Sequence, residues 1–146
     1  MMELERACPT AAHWTEQQYL DLFRQDVDGA ERLALAAELS SETPRHDETS
    51  GVAGFLVARN VAHEWELENI LVAPAMRRKG LGKQLVDALL AHATETDSEC
   101  VFLEVRESNS SARSLYEGMG FQQTGRRKSY YVNPLEDAIL YRRSLR

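Results

Sequence analysis

The stretch from Ile70 to Leu85, ILVAPAMRRKGLGKQL, constrains the fold more than any other part of the chain. Branched residues run into Pro74, which cannot extend a sheet ladder. A basic turn containing Gly80 and Gly82 follows. Leu81, Leu85 and Leu89 then recur at helical spacing, with Ala88 filling the face, which predicts a helix of about 12 residues. The first amides of a helix lack intrahelical acceptors, and the macrodipole adds about half a positive charge there. Glycines without a Cβ let a phosphate approach such amides closely. The expectation is a phosphate cradle, with Arg77, Arg78, Lys79 and Lys83 screening further charge. A solvated basic loop is the plainer alternative that this stretch leaves open.

Two better-known phosphate loops do not fit. A P-loop needs glycine where Arg77 stands and a hydroxyl where Gln84 stands. The dinucleotide fingerprint needs a third glycine at Leu85, and it follows a strand of a parallel sheet, whereas the strand here reads as half of an antiparallel hairpin. The chain's 146 residues suit one domain, 1–146, with a core that needs no staples. Residues 1–50 carry 11 acidic and 4 basic side chains and residues 51–146 carry 12 and 13, so the charge argues against a general nucleic-acid binder. No apolar run reaches the ~18–20 residues of a membrane span, and no signal peptide opens the chain. Cys8 and Cys100 make no disulfide framework, so a reducing cytoplasm is expected.

Along the chain, the spacing of Tyr19, Leu20, Phe23 and Val27 predicts a helix over 15–27, capped by Thr15. Alternation of Leu33, Leu35 and Ala37 predicts a strand over 32–39, and the polar run 40–50 a loop. Residues 51–58 and 64–72 read as an antiparallel hairpin. CVFLEV at 100–105 reads as a strand buried on both faces, and 109–117 as a helix ended by Gly118 and Gly120. Short strands at 122–124 and 130–132 and a closing strand at 138–142 complete a mixed, mostly antiparallel α/β layer. The four histidines show no ligand spacing, so no metal is expected; Cys100 reads as an apolar filler.

The segment RRKGLG at 77–82 resembles the Arg/Gln-x-x-Gly-x-Gly/Ala motif of the GCN5-related N-acetyltransferases, the GNAT superfamily. LEVRESNSSARSLYEGMGF at 103–121 and RRKSYYVNPLEDAILY at 126–141 extend the likeness to its RimI-type ribosomal-protein-alanine N-acetyltransferases. The resemblance is strong over 51–146 and weak over 5–40. One departure is the family's opening strand, for which there is hardly room before Ala7: the expectation is either that the strand is absent or that the start is shortened.

This resemblance implies an enzyme that acetylates a protein N-terminal amine with acetyl-CoA and works by direct attack. It implies that Ile70, Leu71 and Val72 offer backbone groups to the pantetheine and acetyl carbonyl. It also implies that amides from Arg78 to Lys83 hold the pyrophosphate, and that Asn109 touches CoA besides capping its helix. An α-amine with a pKa of about 7.7–8.0 needs a base near neutral pH. The resemblance assigns that role to Glu104, whose apolar strand neighbours make a carboxylate a readier acceptor. A surface-facing strand Glu is the alternative. Glu66 and Glu68 alternate on one face of the preceding strand, and Glu68 ranks second as base or as ammonium binder. The resemblance makes Tyr116 the acid that protonates the CoA thiolate; core packing is the ordinary role for a tyrosine at that spacing. Tyr130 and Tyr131 match the substrate-side segment and are equally suited to strand packing. Two rivals stand beside this reading: an acetyltransferase of small amines such as polyamines, and a non-catalytic acetyl-CoA-binding module.

Overall fold

The computed structural model describes residues 30–38 and 51–146, together with Thr15, Gln17 and Leu20. The expected loop at 40–50, most of the expected helix at 15–27, the question of the opening strand, and Cys8, His13 and His46 lie outside the described residues.

Six strands form one sheet in the order β1-β2-β3-β4-β6-β5. They are β1 (Glu31–Glu38), β2 (Val52–Val61), β3 (Glu64–Val72), β4 (Cys100–Arg106), β5 (Gln122–Val132) and β6 (Leu135–Ser144). Helix α1 (Leu81–Glu95) connects β3 to β4, and α2 (Ser110–Gly118) connects β4 to β5. Every neighbouring pair is antiparallel except β3–β4. That exception follows from connectivity, because the crossover through α1 returns the chain in the same direction.

The core lies between the helices and one face of the sheet. Trp65, Leu67, Val101, Leu103, Val105, Ile139 and Tyr141 pack there against Leu85, Val86, Leu89 and Leu90 of α1. Leu33, Leu35 and Ala37 of β1 pack against the same cluster, as their alternation predicts. Pro74 ends β3 and begins a single turn of 3-10 helix, Pro74–Met76. Helix α1 runs for 15 residues rather than the expected 12. Two expectations are corrected. The strand CVFLEV is not buried on both faces: Val101, Leu103 and Val105 are buried while Phe102 and Glu104 are only partly covered. Residues 122–132 form one strand, whose register against β6 shifts between Gln123 and Gly125 and again between Arg127 and Tyr131, which hides the alternation.

Two irregularities open the middle of the sheet. Ala58 pairs with Leu67 and Val57 with Asn69, so Glu68 is an extra residue, a bulge on β3. The β3–β4 ladder runs from Glu64↔Cys100 to Leu67↔Leu103 and stops there. Residues 68–72 of β3 and 104–106 of β4 continue without pairing to each other, so the two strands fork.

Candidate functional site

The predicted cradle stands at the open end of that fork. Gly80 is the N-cap of α1 with a left-handed backbone (φ 82°) and no side chain capping the helix, while Arg78 also has positive φ (63°). Turns of this kind bring successive N–H groups round to one side. The first helical bond is made by the Gln84 amide on the Gly80 carbonyl, 3.0 Å away. Among the described residues, no backbone acceptor serves the amides from Arg78 to Lys83. A Cβ on Gly80 would meet nothing within 4 Å, so the bend is open outward. A Cβ on Gly82 would lie 3.8 Å from Val72 Cγ2 and 3.5 Å from Leu115 Cδ2, which puts the start of α1 beside the end of β3 and beside α2. These features fit a diphosphate: bare amides, a helix N-terminus and no side chain in the way.

Three of the basic side chains have partners in the turn, in the helix or at the end of β3. Arg77 Nε donates to the Val72 carbonyl at 3.2 Å, which ties the turn to the end of β3. Lys83 pairs with Asp87 at 2.6 Å along the helix, so its charge is already engaged. Lys79 reaches Met76 Sδ.

Glu104 is the first residue of β4 beyond its last pairing with β3, and Glu68 holds the matching place on β3. The two carboxylates flank the point where the strands part. Glu104 Oε1 lies 2.7 Å from Arg127 Nε, and the Tyr130 hydroxyl donates to the same carboxylate, which raises that phenol above its usual range. Phe102, Leu140 and Tyr141 line a concavity of ≈ 260 Å³ with Glu104, Arg127, Glu64 and Arg142. Glu104 thus shares the concavity with apolar side chains, a second carboxylate and two guanidinium groups, Arg127 and Arg142. Arg59 reaches both Glu66 (2.6 Å) and Glu68 (3.4 Å), so the two do share a face.

Tyr116 lies in the core on α2, edge-on to Phe121 and tilted against Tyr141. Burial foremost, then the nearby Tyr131, pushes its phenol well above the ordinary tyrosine value, so it is protonated at neutral pH. Its ring packs in the core. Asn109 caps α2 by accepting from the Ala112 amide. Arg106 stacks over Tyr131, 4.1 Å from the ring centroid, and bonds Asn133 O, Pro134 O and Glu136. Tyr130 and Tyr131 meet edge to face. The sequence reading missed Arg106, Arg127 and Tyr141, whose hydroxyl donates to Glu117 and accepts from Arg113 Nε. The register β4–β6–β5, which no local pattern encodes, places them. Burial raises the Cys100 thiol to about 11, in keeping with an inert filler. Among the described residues, no group of three or more His, Cys, Asp or Glu gathers as for a metal, and no helix is long and apolar enough to cross a membrane.

Comparison with known proteins gives this geometry a context. The chain is 40% identical over 87 residues to the [ribosomal protein bS18]-alanine N-acetyltransferase of Haemophilus influenzae, a match covering 60% of this chain and 59% of that relative. It superposes on the ribosomal-protein-S18-alanine N-acetyltransferase of Escherichia coli with a TM-score of 0.77 and 28% identity, covering 99% of this chain and 84% of that one. It also superposes on the NatC complex bound to Gag peptide and CoA, with a TM-score of 0.65 and 27% identity over 69% of this chain and 67% of that one. The pattern of the Acetyltransferase (GNAT) family matches residues 1–121. The forked sheet, the amide-lined turn and this match agree: the chain belongs to the GNAT acetyltransferase family.

Proposed function

We propose that residues 1–146 act as one domain that transfers acetyl from acetyl-CoA to the N-terminal amine of a protein, the alanine of a small-subunit ribosomal protein. One observation carries this reading. A fork between parallel strands has bare helix N-terminal amides at its mouth and Glu104 and Glu68 at its vertex. The curated relative and the solved structure that carry this substrate in their names support it.

Acetyl-CoA, when bound, supplies the thioester whose acyl group is transferred. The amides of Arg78, Lys79, Gly80, Leu81, Gly82 and Lys83 hold the pyrophosphate. Ile70, Leu71 and Val72 present the β3 edge that β4 leaves unpaired, where a strand-like arm can hydrogen-bond. An amide of this edge donates to the oxyanion. Asn109 keeps α2 in place beside the same entrance.

Glu104 takes the proton of the incoming ammonium, directly or through water, so that a neutral amine attacks. Glu68 helps to hold that ammonium. Tyr116, kept protonated by burial, returns a proton to the departing thiolate. Tyr130 and Tyr131 form the wall on which the peptide N-terminus rests.

Any amine, peptide or polyamine, meets arginines within 4 Å of Glu64, Glu66, Glu68 and Glu104, so it is the relatives' named substrate that favours the peptide. Mass spectrometry after incubation with acetyl-CoA tests the choice. An alanine-initiated hexapeptide should gain one acetyl group while spermidine and aminoglycosides stay unmodified. Preferential acetylation of the small amines would overturn the peptide assignment, and no transfer to any amine would favour a binding module.

A further inference from the structure

Gly54 interrupts the apolar run of β2 at a buried position. A glycine inside a strand is less stable than alanine there, and it often marks the close approach of another backbone. One approaches here. A Cβ on Gly54 would lie 2.9 Å from the Leu71 carbonyl oxygen, 3.4 Å from Leu81 Cδ2 and 3.5 Å from Leu85 Cδ1. The first atom belongs to β3 at the fork, and the other two belong to the start of α1. A leucine tip can swing aside, but a carbonyl moves only with its peptide plane.

The hydrogen-bond phase of the β2–β3 ladder fixes which way that plane faces. The Ala73 amide donates to the Ala53 carbonyl at 2.8 Å, so Ala53 and Ala73 form a hydrogen-bonded pair. Such pairs alternate along an antiparallel ladder. Gly54↔Val72 is therefore a non-hydrogen-bonded pair, the closer kind, and Phe55↔Leu71 is a hydrogen-bonded one, with the Leu71 carbonyl facing β2. A trans peptide points its C=O and N–H in opposite directions, so the Val72 N–H faces away from β2, into the gap that β4 leaves open. Gly54 thus lies behind the Leu71–Val72 peptide and against the start of α1. Gly82, whose own Cβ would lie 3.8 Å from Val72 Cγ2, meets the same strand end from the helix.

We propose that Gly54 is a positioning residue for acetyl-CoA: lacking a Cβ, it lets the Leu71–Val72 peptide and the first turn of α1 come close enough for one molecule to meet both, the pantetheine arm on β3 and the diphosphate on the α1 amides. The inference rests on the reading of the turn at 78–83 as the pyrophosphate site. Gly54 acts through Leu71, Leu81 and Leu85, from the side of β3 away from the gap.

Calorimetry of the full chain with acetyl-CoA, thermal unfolding of the ligand-free chain and kinetics on an alanine-initiated hexapeptide test it together. Gly54→Ala should weaken acetyl-CoA about five- to fiftyfold, because overpacking shifts backbone as well as side chains. At saturating acetyl-CoA kcat should fall, since the displaced edge carries the oxyanion donor, while peptide KM stays within about twofold. If that variant does not fold, Gly54→Ala with Leu81→Ala relieves the nearer leucine contact and keeps the carbonyl contact. Measured against Leu81→Ala alone, it should show the same weakening. Parental acetyl-CoA affinity in Gly54→Ala, whatever its unfolding midpoint, would overturn the proposal and leave Gly54 a matter of strand packing. A rise in peptide KM as large as the loss of acetyl-CoA affinity would overturn it too, as the mark of a general loosening. Gly82→Val, titrated in parallel, separates the two failures. Parental affinity there removes the reading of the turn, whereas weakened affinity there with parental affinity in Gly54→Ala removes the positioning role alone.

Discussion

The turn at 77–83 and the outer face around Glu104 are built from opposite materials. The turn works with main-chain groups: among the described residues no backbone acceptor serves its amides from Arg78 to Lys83, its glycines keep side chains out, and its lysine at 83 is engaged elsewhere. The outer face works with side chains: Glu104, Arg127, Tyr130 and Leu140 come from three strands and meet only because the sheet places β6 between β4 and β5. A main-chain site needs few particular side chains and tolerates exchange of the rest. A site assembled across strands depends on every partner in it. The difference predicts where substitution matters, and by how much.

The largest effect should come from the side-chain site. Glu104→Gln removes the proton acceptor and should lower the rate ~10²–10⁴-fold near neutral pH, with calorimetric acetyl-CoA affinity unchanged. Similar losses in rate and in cofactor affinity would mean that the two regions are not separate.

Next is the main-chain site. Gly82→Val adds methyl groups facing Val72 and Leu115, at the mouth of the fork. Valine keeps its amide, but its methyls push the start of α1 off Val72 and Leu115 and so misplace the amides that face the pyrophosphate, which should weaken acetyl-CoA about ten- to a hundredfold, read by the same calorimetry. The smallest effect should be that of Lys83→Ala. Its ammonium pairs with Asp87, and its amide remains in any variant, so affinity should change by less than about twofold. A larger loss from Lys83→Ala than from Gly82→Val would reverse the assignment of side-chain and main-chain roles.

The same contrast explains which features are legible in the sequence. A strand, a proline, two glycines and a leucine repeat are local signals, and the turn, α1 and the β2–β3 hairpin emerge from them within a few residues. The alternation in CVFLEV puts Glu104 and Phe102 on one face, yet the strand's exposure on that face depends on β5 and β6, which are distant in sequence. Residues 122–132 resist reading because two register shifts, one beside Gly125 and one around Ser129, break the period of two. The bulge at Glu68 leaves a faint mark in the sequence: in ELENILV the alternation breaks at Glu68-Asn69, and Leu67 on one side of the break and Ile70 and Val72 on the other pack on the same core, but only pairing with Val57 and Ala58 identifies the extra residue. RRKSYY makes Arg127 conspicuous but says nothing of its partner.

The central claim is that the backbone between Arg78 and Lys83 receives a diphosphate. A crystal structure of the chain with CoA tests it most directly. Pyrophosphate oxygens should lie at about 3 Å from amide nitrogens in that segment, with the pantetheine arm running into the fork beside Ile70, Leu71 and Val72. A CoA molecule whose phosphates rest elsewhere, with the turn filled by its own side chains, would contradict it.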